Sequence, residues 1–363
     1  MKILHVLYSG LGGHGNVFFS LVSADEKKVF QYEALFNGIE DVRQDYIDSC
    51  SRLNVPLIFV KKKQGSHLGF FVKMVKAIIK SRADIIFLHG SIHAAAARTA
   101  VFFMRGKQKI IVRETQANHL KTKREKLALK IAMKLADRIV FLSREYDDEI
   151  KSFMPENYRS KKISIIPNGL DLSLYTPGNK SQGNRIILGM QSRLVAIKDH
   201  ETLLRAIASL KKSRPGILLN LIIAGDGEHK KYLENLQQQL GLQQEVHFCG
   251  ILNENELIHF LQSLDIYVHA SLGETMSTAV MQAMACRLPL IASDVKGINN
   301  MVQNGVTGLL VPAKDTHKMA AAIEELISDP QLRNRLSVEA FKYAQENFSS
   351  RRMIEDYKKI FAS

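Results

Sequence analysis

The sequence predicts an α/β protein built on two doubly wound parallel sheets, and three observations predict it. At 363 residues the chain is long enough for two ordinary domains. Apolar runs of strand length alternate with helix-length segments from the first residues onward, the pattern that wraps helices around a parallel sheet. That alternation is interrupted by a polar, glycine-containing stretch and then restarts.

In the first half, strands are expected at Ile3–Tyr8, Tyr32–Phe36, Leu57–Val60, Ile85–His89, Ile110–Val112 and Arg138–Leu142. A shorter run, Ile163–Pro167, ends in a turn at Asn168-Gly169. The stretch from Pro177 to Asn184 has no apolar period and reads as the linker. Strands then resume at Ile186–Ser192, Leu219–Ala224, Val246–Cys249, Ile266–Ala270, Leu290–Ala292 and Leu309–Val311. Val338–Phe361 reads as two helices parted by Ser349-Ser350. The expected organisation is a first domain over 1–175, a second over 176–345, and a terminal helix over 346–363 that packs back toward the first.

Composition narrows the function. Hydrophobic residues make up 46% and charged residues 24%, enough to bury full cores. Cys50, Cys249 and Cys286 lie far apart without ligand spacing, so neither a disulfide framework nor a zinc site is expected. The amino terminus, a short strand-like run broken by glycine, is neither a signal peptide nor a membrane span, and no stretch reaches about 18 uninterrupted apolar residues. A cytoplasmic protein is expected.

The net charge of +14 is lopsided. Residues 1–170 carry 29 Lys and Arg against 16 Asp and Glu; the remainder carry 21 against 20. Such an excess either solvates a face or meets something anionic. Two stretches concentrate it. In Asn118–Asp137, Lys123, Lys126, Lys130 and Lys134 share a helical face, with Leu127, Ile131 and Leu135 on another. In Lys61–Ser81, Lys73, Lys76 and Lys80 mix with Phe70, Phe71, Met74 and Ile78. The apolar sides either pack on their own sheet or lie on a membrane. The expected partner is an anionic membrane surface at the inner face of the cytoplasmic membrane. Nucleic acid is not expected, since Trp is absent and no basic–aromatic recognition motif occurs.

Gly10-Leu-Gly12-Gly13-His-Gly15 follows the first strand and matches GxGxxG. Glycines there permit a tight turn and close backbone approach to a pyrophosphate. A dinucleotide reading also needs an acid at the end of the second strand, where the sequence has Phe36-Asn37. A plain turn and a phosphate- or acceptor-facing loop both stay open. In the second half, Arg193 and Lys198 follow the first strand of the second sheet, where open α/β sheets bind ligands. A guanidinium fork and an ammonium suit a diphosphate, although two exposed cations would read the same way. Glu274 ends a strand, and Ser277–Ala285 reads as a buried helix whose first amides, Thr278 and Ala279, offer an anion site. Glu274 suits sugar hydroxyls or merely flanks that helix.

Together these segments resemble the retaining GT-B glycosyltransferases of family 4, a group that includes cell-surface polysaccharide and lipopolysaccharide enzymes. The resemblance covers most of the chain. It rests on Gly12-Gly13, on IPNGLDLSLYTP (Ile166–Pro177), and on Arg193 with Lys198. It continues through Gly225-Asp-Gly227, Phe248-Cys-Gly250, Glu274 to Gln282, and Asn304 to Pro312. It implies two Rossmann-like domains facing across a cleft. It also implies a retaining transfer of a hexose-type sugar from a UDP- or GDP-linked donor to a lipid-linked or glycan acceptor. Arg193 and Lys198 would neutralise the departing diphosphate, Gly12 and Gly13 would give amides to it, and Glu274 would touch the transferred sugar. Ile251 and Leu252 would hold the base. The sequence departs from the family pattern at Gln282, where an acid bonds the ribose, at Arg287, where glycine is usual, and at Asn300, also usually an acid. An amide keeps one oxygen acceptor and adds a donor.

No Asp-x-Asp pair occurs, so no metal and no further cofactor are expected; fixed cations and helix amides would meet the charge. Arg113 and Glu114 end a first-domain strand and either line the acceptor side or form a surface ion pair. Because of the three departures, a catalytically silent scaffold or partner subunit is the alternative function.

Overall fold

A computed structural model describes residues 1–10, 13–63, 65, 67–178 and 185–362. Gly12 and most of the expected linker, 179–184, lie outside the described residues. The chain divides into two compact units, Met1–Asp171 together with Ser350–Ser363, and Leu172–Ser349. Each is an α/β unit with its own fully parallel sheet.

The first unit has β1 (Lys2–Tyr8), β2 (Gln31–Gly38), β3 (Leu57–Lys61), β4 (Ile85–His89), β5 (Lys109–Arg113), β6 (Arg138–Phe141) and β7 (Ile163–Ile165). Their spatial order is β3-β2-β1-β4-β5-β6-β7. Each expected strand is present, with ends shifted by a few residues. The seventh stops at Ile165 rather than Pro167, a residue that has no amide hydrogen for a ladder. The central strands are apolar along nearly their whole length because helices cover both faces. Leu4, Val6, Ile86, Leu88, Ile110 and Val112 pack against Met74, Ile78, Ala97, Val101, Leu129 and Met133.

The second unit has β8 (Ile186–Gln191), β9 (Leu219–Ala224), β10 (Val246–Gly250), β11 (Ile266–His269), β12 (Leu290–Asp294) and β13 (Leu309–Pro312). Their order is β10-β9-β8-β11-β12-β13. Its core joins Leu188, Met190, Leu221, Ile223, Ile266 and Val268 to helix residues such as Leu203, Ile207 and Ile323. In each sheet the order reverses direction at one place, between β1 and β4 in the first and between β8 and β11 in the second. Loops leaving the carboxyl ends of the two strands at such a switch diverge and leave a crevice, the place where open α/β sheets take ligands.

The carboxyl-terminal segment forms two helices, Pro330–Asn347 and Ser350–Ala362, divided at Phe348-Ser349. The second belongs to the first unit, where Met353, Ile354, Tyr357, Ile360 and Phe361 are buried. Phe361 meets Phe30 and Phe87 edge-on. Among the described residues no helix is long and apolar enough to cross a membrane.

The apolar residues of the basic helix do not all turn inward. In Lys123–Leu135 the sheet-facing residues are Leu129, Ala132 and Met133, whereas Leu127 is 58% exposed and Ile131 is also exposed. Packing on the sheet therefore accounts for only part of the expected apolar side.

Candidate functional site

In the second unit the switch brings together the loop after β8 and the loop after β11, which are neighbouring strands. Two backbone-directed bonds join the loops. The Leu272 amide donates to the Ile197 carbonyl at 2.8 Å, and the Ser271 hydroxyl donates to the same oxygen at 3.2 Å. The first loop carries Arg193 and, at the end of a short turn Ala196–Lys198, Lys198. The second carries Glu274. Three of the expected site residues thus share one strand-end region, although 81 positions separate the outermost two in sequence.

Two glycines explain how the loops lie so close. Gly225 has φ +138°, and a Cβ there would run into the Ser192 carbonyl oxygen; the Leu194 amide donates to Asp226 and the His229 amide to Leu194. The Gly225-Asp-Gly227 segment is therefore the floor on which the Arg193 loop rests. Gly297 has φ +84°, and a Cβ there would strike the Glu274 carbonyl, while the Glu274 amide donates to Lys296 at 3.1 Å. Both positions need a residue without a side chain.

Glu274 is held from below. Lys198 Nζ and His269 Nε2 both reach its Oε1, the latter at 3.1 Å. A carboxylate only accepts, so His269 carries its proton on Nε2 and turns Nδ1 toward the Tyr267 hydroxyl at 3.5 Å. Ser277 Oγ lies 3.3 Å from the same Nε2. Burial pushes the Glu274 carboxyl up, but Lys198 and His269 more than offset it and hold it at about 2. His269 is fully buried, and burial lowers its pKa despite the carboxylate beside it. The ring is therefore a neutral donor under an acid that is ionised at neutral pH. Glu274 Oε2 carries no hydrogen bond among the described residues.

Arg193 is exposed, with no ion-pair partner among the described residues. Thr278 and Ala279 open the helix Thr278–Ala285, capped by the Ser277 side chain on the Val280 amide; the first amides of a helix have no intrahelical acceptor. Ile251 is exposed and Leu252 half-buried in the loop after β10. Gln282 lies deeper than a surface ligand, at 2% exposure. Gln191 Nε2 donates to its Oε1 at 2.5 Å, and its Nε2 donates to the Tyr175 hydroxyl at 2.7 Å. Both ends of this amide are thus engaged within the unit.

In the first unit, Gly13 begins the helix Gly13–Ala24 after β1. Arg113 and Glu114 are both buried, which corrects the surface ion-pair alternative. Arg113 donates to Asn168, of the Ile166–Pro177 segment, and to His89 Nδ1 at 3.3 Å. Because guanidinium can only donate, His89 holds its proton on Nε2 and passes a bond to His5 Nδ1 at 3.0 Å. Glu114 accepts from Ser91 and pairs with the buried Lys121 at 3.4 Å. This polar chain runs from the middle of β1 to the carboxyl ends of β4 and β5.

His269, Tyr267, Gln191 and Tyr175 have no role in the sequence reading. One signal was available: Tyr267 and His269 stand two apart on a strand, so they share its face directly before Glu274.

Comparison with known proteins follows the same division. The profile described as Glycosyltransferase Family 4 matches residues 11–174, and the one described as Glycosyl transferases group 1 matches residues 175–343. The chain belongs to glycosyltransferase family 4. The uncharacterized glycosyltransferase MJ1069 of Methanocaldococcus jannaschii is 29% identical over 242 residues, covering 64% of this chain and 60% of that protein. A D-inositol 3-phosphate glycosyltransferase of Stackebrandtia nassauensis is 28% identical over 198 residues, covering 50% of this chain and 45% of that protein. The chain thus spans about half the length of the curated relatives it matches. The crystal structure of Anabaena Alr3699/HepE in complex with UDP and glucose superposes with a TM-score of 0.83 at 21% identity, covering 100% of both chains. The fold of this family 4 member is GT-B.

Proposed function

We propose that this family 4 protein is a retaining glycosyltransferase. It moves a hexose-type sugar from a UDP- or GDP-linked donor to a lipid-linked or glycan acceptor in cell-surface polysaccharide synthesis. The observation that carries this reading is the strand-end constellation of the second unit. Among the described residues Arg193 has no ion-pair partner there, Lys198 is anchored, and one oxygen of the ionised Glu274 carries no hydrogen bond. Arg193 and Lys198, with the amides of Thr278 and Ala279, meet the charge that gathers on the diphosphate as the bond to the anomeric carbon breaks. That oxygen of Glu274 accepts from a sugar hydroxyl and fixes the ring. The acceptor oxygen forms the new bond on the face the phosphate leaves, and its proton passes to that phosphate. No divalent ion is assigned a step. The structure of Anabaena Alr3699/HepE with UDP and glucose supports a nucleotide-sugar donor for a chain of the same fold.

The test is a thermal-shift panel of UDP, GDP, ADP and CMP sugars, followed by turnover in chelator and NMR of the product anomer. One stabilising uridine or guanosine donor, turnover without metal and a retained anomer are expected. An inverted product or strict dependence on manganese overturns the mechanism. Arg193→Ala and Lys198→Ala should each lower turnover by about 10²-fold; normal rates in both would remove them from these roles. The enclosed Gln282 amide favours one other reading, a silent scaffold, which donor hydrolysis by the wild-type chain would dismiss.

A further inference from the structure

We infer that the first unit docks on an anionic lipid bilayer through the outer face of three adjacent helices, and that apolar side chains enter the bilayer there. The inference deepens the lipid-linked acceptor reading, but the observations behind it are independent of catalysis. The helices are His67–Ser81, Ala94–Phe103 and Lys123–Leu135. They follow β3, β4 and β5 and pack side by side, the first on the second and the second on the third. Successive right-handed crossovers in one direction place them on one side of the sheet.

Their inward residues are settled. Met74, Val75 and Ile78, then Ala97, Ala100 and Val101, then Leu129, Ala132 and Met133 fill the core. What remains outward is unusually apolar. Leu68 and Val72 stand one turn apart on the first helix, as do Leu127 and Ile131 on the third, and all four are exposed. On the middle helix Phe102 is 77% exposed and Phe103 66%; they touch each other edge-on at 5.6 Å. Single exposed leucines are ordinary, but three apolar pairs on one face are a patch.

The charge on the three helices themselves is almost entirely of one sign. The three helices contain a single acid, Glu125, which is engaged in capping its own helix on Thr122. Lys73, Lys76 and Lys80 lie on the first helix and Lys123, Lys130 and Lys134 on the third, all exposed and none paired with an acid among the described residues. Ammonium groups on long stems beside Phe, Leu and Ile complement anionic headgroups above hydrocarbon. A nucleic acid would use the lysines but gain little from Leu68, Val72, Leu127 and Ile131, which offer no stacking surface to a base. The face runs from Leu68, at the carboxyl end of the sheet, to Phe103, at its amino end. A unit lying on it keeps the carboxyl ends of its strands at the level of the bilayer rather than turned away from it.

The chain has no tryptophan, so Phe102→Trp gives a single reporter at the proposed point of entry. Its emission should shift to the blue and be quenched by brominated lipid when phosphatidylcholine vesicles containing phosphatidylglycerol are added. Phosphatidylcholine alone should leave both nearly unchanged. Replacing Phe102 and Phe103 together by Ser should weaken vesicle affinity about tenfold or more without moving the melting temperature, since neither ring is in the core. Lys130→Glu with Lys134→Glu should weaken it about fivefold per residue and flatten its salt dependence. Unchanged emission in the presence of anionic vesicles, or wild-type affinity in the double serine variant, overturns the inference. Hydrolysis of the nucleotide sugar in detergent separates the two readings. A variant that loses vesicles but keeps hydrolysis leaves the transferase standing, whereas a wild type that binds vesicles but never turns over a donor defeats the transferase reading alone.

Discussion

At the scale of single residues, the site depends on groups that do not touch each other in sequence. His269 gives Glu274 a buried hydrogen bond to a charge, an interaction worth roughly 1.5–3 kcal/mol. His269→Leu should therefore lower turnover by roughly 10- to 100-fold, while His269→Gln, which keeps a donor at similar reach, should recover part of it. Equal activity in the leucine variant and the wild type would show that Lys198 alone fixes the carboxylate. Arg287 makes a different point. It adopts φ +54°, the left-handed region where side chains other than glycine cost about 1–2 kcal/mol, and its side-chain hydrogen bond to Asn334 is exposed. Arg287→Gly should raise stability by about 0.5–1 kcal/mol in chemical denaturation, and a loss would show that the Asn334 contact matters more than the backbone. The placement of Arg193, Lys198 and Glu274 at one strand-end region was legible because charged residues in the loops that follow apolar strands have few structural uses. Gln282 as an enclosed link was not, since its partners Gln191 and Tyr175 lie 91 and 107 positions away. Neither was the burial of Arg113 and Glu114, which depends on Asn168 and Lys121.

At the scale of elements, strands were the easiest features to read, because strands covered on both faces are apolar almost without interruption. Helix faces were harder. The period of Lys123–Leu135 locates an apolar stripe but does not say which of its edges meets the sheet, and Leu127 and Ile131 fell on the other side. The helix Ser350–Ala362 is the element with most at stake. Five large side chains, Met353, Ile354, Tyr357, Ile360 and Phe361, are buried in the first unit, at about 1.5–3 kcal/mol each. Together that is about 8–15 kcal/mol, comparable to the whole net stability of an ordinary domain. Deleting residues from Ser350 onward should leave the first unit open to protease while the second stays protected. Protection of both units would mean that the sheet holds without this helix.

At the scale of the whole molecule, the chain hides histidines in both units. Burial holds His5 and His200 down to about 3 and His93 to about 4, and lowers His89 and His269 as well. A histidine whose folded pKa lies below its unfolded one takes up its proton only on unfolding. Stability is therefore complete above about pH 6.5 and falls as the pH drops toward those lowered values. At pH 5 the loss is of order 1–2 kcal/mol for each of His5, His93 and His200, so melting temperature should fall steeply between pH 7 and 5. A flat profile over that range would mean the rings already accept protons in the folded state. Glu274 acts later, since a carboxyl held at about 2 gives up its contribution only as the pH falls from about 4.5 through 2.

The division of the first unit between residues up to Asp171 and residues from Ser350 has a consequence for birth on the ribosome. Its sheet emerges first, yet it waits for about 180 further residues before its closing helix exists, on the order of ten to thirty seconds at ordinary elongation rates. During that interval Phe30 and Phe87 have no Phe361 to meet, so a nascent chain would carry an open, sticky half that chaperones could engage, while the later-made half can close as soon as it leaves the exit tunnel.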